Sequence, residues 1–295
     1  MNLSVSSEPL VKAGWLRTLL YILALMLAAG TVLIAFILGM HKGNPDASGL
    51  QELMKGNNPA LIVLILFILV LLITVVFRRW VDRKSFISLG LEIKGHGFEA
   101  MAGAALAVFI MGSSCLIIQA TGHLKWMDIL FDPKSLFLAF GTILLSAFYE
   151  ELIFRGYILN NLMDSFPKWP ALGISTLLFM VFHWNSAGLF PVLNVLMLGG
   201  ITGLFYLYTR NLWFPICFHA AWKFMAGPVL GFSNDQTSQT LLQTSLQGNE
   251  NITGGATGLQ GSVILLSVSL FSAVALYFIL QKKLSPKSQP VPGRI

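Results

Sequence analysis

The sequence predicts an all-α protein, a polytopic membrane helix bundle of about eight transmembrane helices. Three observations predict it. Of 295 residues, 55% are hydrophobic and 11% charged, whereas soluble domains carry about 25% charged residues. Eight apolar segments are long enough, or nearly so, to cross a hydrocarbon core of roughly 30 Å. The lysines and arginines between those segments concentrate on alternate loops, as the positive-inside rule requires. A single integral-membrane domain is expected over 19–281, with a cytoplasmic tail at 1–18 and a proline-containing, disordered cytoplasmic tail at 282–295.

The first segment, Leu19–Met40, is longer than the apolar core of a signal peptide and ends without a small-residue cleavage site, so it reads as a retained span. Pro59–Phe77, Phe98–Ala120 and Leu136–Ile158 follow. Pro170–Trp184 is the shortest, and Leu189–Tyr208, Leu212–Val229 and Ser262–Leu280 complete the set. With the N-terminus inside, thirteen of the nineteen basic residues are cytoplasmic: Lys12, Arg17, Arg78, Arg79, Arg83, Lys84, Lys94, Lys168, Arg210, Lys282, Lys283, Lys287 and Arg294. Only four, Lys42, Lys55, Lys125 and Lys134, fall on the other side, while Arg155 and Lys223 lie inside spans. Both termini are therefore expected in the cytoplasm, with the protein in the plasma (inner) membrane of a bacterium. Six of the tryptophans, Trp15, Trp80, Trp126, Trp169, Trp184 and Trp213, fall near span ends, the place of an aromatic belt.

Ser233–Gly261 has no lysine or arginine and is rich in Ser, Thr, Gln, Asn and Gly, which predicts a long, flexible external loop. Cys115 and Cys217 both fall in apolar spans, show no metal-type spacing and are not expected to pair. The net charge of +6 belongs to loops and tails, so the expected partners are the lipid bilayer and a membrane peptide or protein substrate, with no nucleic acid. No internal repeat is visible, which counts against an inverted-repeat transporter.

The fourth segment breaks the apolar pattern. It carries Glu150, Glu151 and, one turn later, Arg155. Each charge at membrane depth costs roughly 2.5–3.5 kcal/mol on insertion scales, so such groups are retained where they pair or perform chemistry. Glu151 and Arg155 are an i,i+4 pair with the acid N-terminal, whereas Glu150, about 100° away around the helix, is left on another face. Two further spans each bring a histidine, His183 and His219, and Lys223 lies one turn beyond the latter. Polar groups in separate spans turn toward the bundle interior, where a glutamate and histidines can hold and deprotonate a water molecule. The plain alternatives are a helix-stapling Glu151–Arg155 pair, a hydrogen-bonded core acid at 150, and histidines making interhelical hydrogen bonds.

At these residues the chain resembles the CPBP family (CAAX protease and bacteriocin-processing, or Abi, proteins) of intramembrane proteases. The first family motif appears as Glu150-Glu151-Leu-Ile-Phe-Arg155 and the second as Phe179-Met-Val-Phe-His183. The third, His followed four residues later by Asn or Asp, is met at His219 but has lysine at position 223. The resemblance covers about 86–225 and implies an eight-helix fold whose site opens toward the cytoplasm. It also implies peptide-bond hydrolysis within or beside the bilayer, with Glu150 as the general base. His183 would then position the water, His219 would stabilise the oxyanion or bind metal, and Glu151, Arg155 and Phe179 would support the site. If zinc is bound, Glu150, His183 and His219 are its ligands. An ammonium has no lone pair to give a metal, so Lys223 favours hydrolysis without one. Prenylated substrates belong to one branch of the family only. Two other readings stand beside the protease: an inactive family member acting as a membrane scaffold or regulator, for which Lys223 speaks, and a proton-coupled transporter.

Overall fold

A computed structural model describes residues 8–41, 59–184, 188–232 and 240–284. The expected outer loop with Lys42 and Lys55, the start of the 233–261 loop, and the outer parts of both tails lie outside the described residues. Among those described, six helices are long and apolar enough to cross a membrane. The protein is a polytopic helical bundle, and eight is an approximate count, because two of the eight expected spans are shorter.

The elements follow the apolar segments with shifted ends. Helix α1, Gly14–His41, starts ahead of its expected first residue, Leu19. Helix α2, Pro59–Val76, runs into a π-helical turn, Phe77–Val81. Helix α3 is Gly97–Ala120, and strand β1 is Leu124–Ile129. Helix α4, Pro133–Glu151, continues as a π-helix, Leu152–Leu159, and ends in the turn Asn160–Leu162. Helices α5 (Lys168–Phe182), α6 (Leu189–Thr209) and α7 (Trp213–Phe224) follow. Strand β2 (Leu242–Leu246), short helix α8 (Glu250–Thr253), a 3₁₀ segment (Gly255–Gly261) and α9 (Val263–Leu284) close the chain.

Local chemistry explains several boundaries. Asp132 caps α4 by accepting from the Lys134 and Ser135 amides, with Pro133 in the first turn, where its missing N–H is not needed. The Ser135 hydroxyl also donates to this carboxylate and, with the Ser135 amide, holds the Asp132 carboxyl below the usual carboxylate range. Beyond α7 the chain widens into a π-turn, Met225–Val229, around Pro228, which lacks a donor and would clash with the preceding turn of an α-helix.

Helix α7 lies at the centre, packed on α3 and α4, while α6 packs on α5 and α9 and α2 on α4. The two ends of the bundle differ. One is basic and is tied by a buried ionic knot: Asp82 receives Arg17 at 3.1 Å and Arg78 at 2.9 Å, and Arg17 also reaches Asp164 at 2.7 Å. Lys84, Lys168 and Arg210 lie at this end too. Arg17 and Arg78, read above as ordinary loop charges, are thus buried and paired, joining α1, α2 and the end of α4.

The other end carries an antiparallel β1–β2 hairpin pairing Leu124 with Leu246 and Ile129 with Leu242, and among the described residues it has the basic residues Lys125 and Lys134. This corrects the flexible-loop expectation for the described part of 233–261. Its polar residues bond locally and across the hairpin instead of to solvent alone. Thr244 donates to the Leu230 carbonyl and Thr257 to that of Gly254, while Leu259 is fully buried. Cys115 and Cys217 are both unpaired thiols.

Candidate active site

The site is assembled where α4, α5, α6 and α7 meet, from the bottom of which Arg155 supports everything above. Its guanidinium donates to Glu151 Oε1 at 3.1 Å and to the Gly199 carbonyl at 2.9 Å, and it lies 4.3 Å from the centre of the Phe179 ring. That approach needs a glycine on α6: a Cβ at 199 would come within 3.1 Å of Phe179 and 3.3 Å of Arg155. Gly199 and Gly203 serve close packing, as small residues in membrane helices do.

Phe179 in turn backs His183, whose ring lies 4.2 Å away at a 38° tilt. The spacing of four places both on one face of α5. His183 terminates the helix, and its Nδ1 lies 3.0 Å from the Phe179 carbonyl. A carbonyl only accepts, so Nδ1 carries a proton. Nε2 lies 3.1 Å from Glu150 Oε2, a hydrogen bond to the carboxylate when the ring is charged and, in the neutral ring, an acceptor that shares a water's proton or an ion with that oxygen.

The same logic fixes His219, which is fully buried. Its Nδ1 is 2.8 Å from Glu151 Oε1, so Nδ1–H donates to the carboxylate and Nε2 keeps a lone pair. Nε2 lies 3.5 Å from Glu150 Oε2 and makes no hydrogen bond. With both rings neutral, two imidazole lone pairs and a carboxylate oxygen converge on one point. Both histidines are oriented from behind through Nδ1, as ligating or water-holding histidines are.

Lys223 completes the group, with Nζ 2.6 Å from Glu150 Oε1 and 3.4 Å from Ser146 Oγ. Two carboxylates, Glu150 and Glu151, thus face two cations, Arg155 and Lys223, and with neutral histidines the cluster carries no net formal charge. A cavity of about 60 Å³, lined in part by His183, Asn194, His219, Trp222, Lys223 and Gln260, adjoins it. Such a space holds several water molecules.

All seven residues singled out in the sequence come together here. Glu150 and Glu151 diverge as their 100° separation requires, and His219 bridges them. Sequence reasoning missed Ser146, Asn194, Gln260 and the Gly199 carbonyl. Ser146 lies one turn before Glu150 on the same face, and Asn194 is a carboxamide inside a span. Both were findable signals. The π-helix that begins directly after Glu151 was also unforeseen, although such widened turns gather at functional sites.

The donor set itself fits a divalent metal: Glu150, His183 and His219 each offer one atom, all within 4.8 Å of one another. His219 Nε2, buried and without a hydrogen bond, is the kind of atom a metal satisfies.

Residues 132–225 match the family model described as Type II CAAX prenyl endopeptidase Rce1-like. The matched stretch runs from the cap of α4 to the end of α7 and holds all seven residues of the site. The match falls on the stretch in which the three motifs resemble the CAAX-protease family. No curated protein matches the chain.

Proposed function

We propose that this protein is an intramembrane endopeptidase that hydrolyses a peptide bond of a membrane-associated substrate, with Glu150 as general base. One observation carries the reading: Glu150 Oε2 lies 3.1 Å from His183 Nε2 and 3.5 Å from His219 Nε2, next to a cavity that holds several water molecules. A water that donates its protons to two of these three acceptors keeps its own lone pairs free to attack. As its oxygen bonds to the substrate carbonyl carbon, its proton passes to Glu150. The carbonyl oxygen becomes an oxyanion, and Lys223 Nζ turns from Glu150 to donate to it. The C–N bond then breaks, and Glu150 returns the proton to the leaving amine. Glu151, Arg155 and Phe179 position the histidines without touching the reacting atoms. His219, with Nδ1–H committed to Glu151, serves as an acceptor, which leaves the oxyanion to Lys223.

A divalent ion held by Glu150, His183 and His219 would supply Lewis acidity to a bound water. The ammonium on the other oxygen of Glu150 opposes it. The cluster is already neutral, and an added dication would bring uncompensated charge into a low-dielectric interior. Hydrolysis without tightly bound metal is the reading we adopt.

The 2.6 Å contact of Lys223 with Glu150 favours one second reading, a carboxylate locked in its ion pair and a protein retained as a membrane scaffold or regulator. Incubating purified wild type and Glu150→Gln with membrane-embedded peptides, prenylated and unprenylated, separates the two. The protease reading requires cleavage by wild type and none by folded Glu150→Gln. A wild type that cleaves nothing supports the scaffold.

A further inference from the structure

We infer that Asn194 is a substrate-binding residue: its Oδ1 accepts the main-chain N–H of an amide flanking the scissile bond and so sets the register of the peptide over Glu150. The inference rests on the hydrolase reading above and adds a subsite to it.

Asn194 lies in the second turn of α6 and is 2% exposed. With Leu198, one turn on, it belongs to the face of α6 that lines the cavity beside His183, His219 and Lys223. Its Nδ2 donates to the carbonyls of Gln260 at 2.9 Å and Ser262 at 3.1 Å. Carbonyls only accept, so the nitrogen is fixed on that side, and both of its hydrogens are committed to the segment that leads into α9. Oδ1 is therefore held in one orientation, and it is buried without a hydrogen-bond partner.

An acceptor buried in that way is destabilising until a donor reaches it. The tie to the α9 segment uses the donor half of the amide and leaves the acceptor half spare. Among the described residues that line the cavity, one other side chain has a buried polar atom without a partner, His219 Nε2, and that atom lies beside Glu150. Next to the water-holding centre, the cavity thus offers a peptide two complementary groups. Lys223 Nζ is a donor for a carbonyl oxygen, and Asn194 Oδ1 is an acceptor for an N–H. Such a pair reads the main chain, because every residue but proline carries both groups. A proline whose nitrogen falls opposite Asn194 would leave Oδ1 unpaired, so the subsite discriminates against it.

A peptide that wild type cleaves in detergent tests this through two analogues, in which the amide before or the amide after the scissile bond is replaced by an ester. The ester removes the N–H and keeps the length of the chain. Products are identified by mass, so that only cleavage at the original bond is counted. In wild type we expect one of the two esters to lower kcat/KM about tenfold, the scale of one hydrogen bond lost in a buried site. Asn194→Leu should lose a similar factor on the all-amide peptide and be indifferent to that ester. Should Asn194→Leu not fold, Asn194→Ser, whose hydroxyl can still donate to one of the two carbonyls, takes its place with the same two expectations. An ester penalty as large in the folded variant as in wild type, or no penalty in wild type at either position, overturns the inference and leaves the hydrolase reading intact. A wild type that cleaves no peptide in detergent refutes the hydrolase reading and this inference with it.

Discussion

At Glu151 a single carboxylate oxygen serves two partners, Arg155 at 3.1 Å and His219 at 2.8 Å, and all three side chains are buried. Removing one member of such a pair strands the other's charge, at a cost of roughly 3–5 kcal/mol. Glu151→Gln and Arg155→Ala should therefore lower the thermal unfolding midpoint in detergent. They should also lower kcat, because Glu151→Gln weakens the bond that fixes the His219 tautomer and Arg155→Ala releases the carboxylate that makes it. Midpoints equal to wild type would contradict the pairing. At Lys223 the expectation is different. An oxyanion donor is worth about 10²–10³ in kcat, so Lys223→Met should lose that much, whereas Lys223→Asn, whose carboxamide still donates, should retain most of the activity. Equal rates in Lys223→Met and wild type would remove the lysine from the chemistry. Glu150, Glu151 and Arg155 were legible because charge inside an apolar segment is rare and helical spacing orders it. Lys223 was legible as a departure from a motif. Asn194 carried the signal of a carboxamide inside a span, but its partners at 260 and 262 are distant in sequence.

Among the elements, α1, α2 and the end of α4 are joined by charge as well as by apolar packing. Asp82 is fully buried between Arg17 and Arg78. Asp82→Asn should unfold at clearly lower temperature, by the same roughly 3–5 kcal/mol argument. Glu8→Ala, which breaks the exposed Lys12–Glu8 pair at 3.0 Å, should change little, since exposed pairs contribute about 0–1 kcal/mol. Identical melting of both variants would contradict a structural role for the knot. The sequence showed the helices through composition and length. It did not show the knot, because Arg17 and Asp82 are 65 residues apart. Nor did it show the hairpin: Leu242–Leu246 looks like polar loop until β1 supplies the ladder. The π-turn around Pro228 had a signal in the proline, whereas Leu152–Leu159 had none.

For the whole molecule, the basic end and the hairpin end define a direction across the membrane. We propose that the basic end and both termini face the cytoplasm, from the asymmetry of lysine and arginine. Labelling single cysteines in intact cells should then reach position 245 and spare position 83, and the reverse pattern inverts the topology. The central claim concerns the site inside that bundle: a carboxylate-activated water, held by two histidines in a charge-balanced cluster, cleaves a peptide bond. Its most direct test is single-turnover cleavage in ¹⁸O-labelled water by chelator-treated wild type, beside folded Glu150→Gln, with zinc measured by elemental analysis. The account predicts one ¹⁸O in the new carboxyl product of zinc-free wild type and no product from Glu150→Gln. Cleavage by Glu150→Gln at the wild-type rate, or wild-type activity that appears only with stoichiometric zinc, would contradict it.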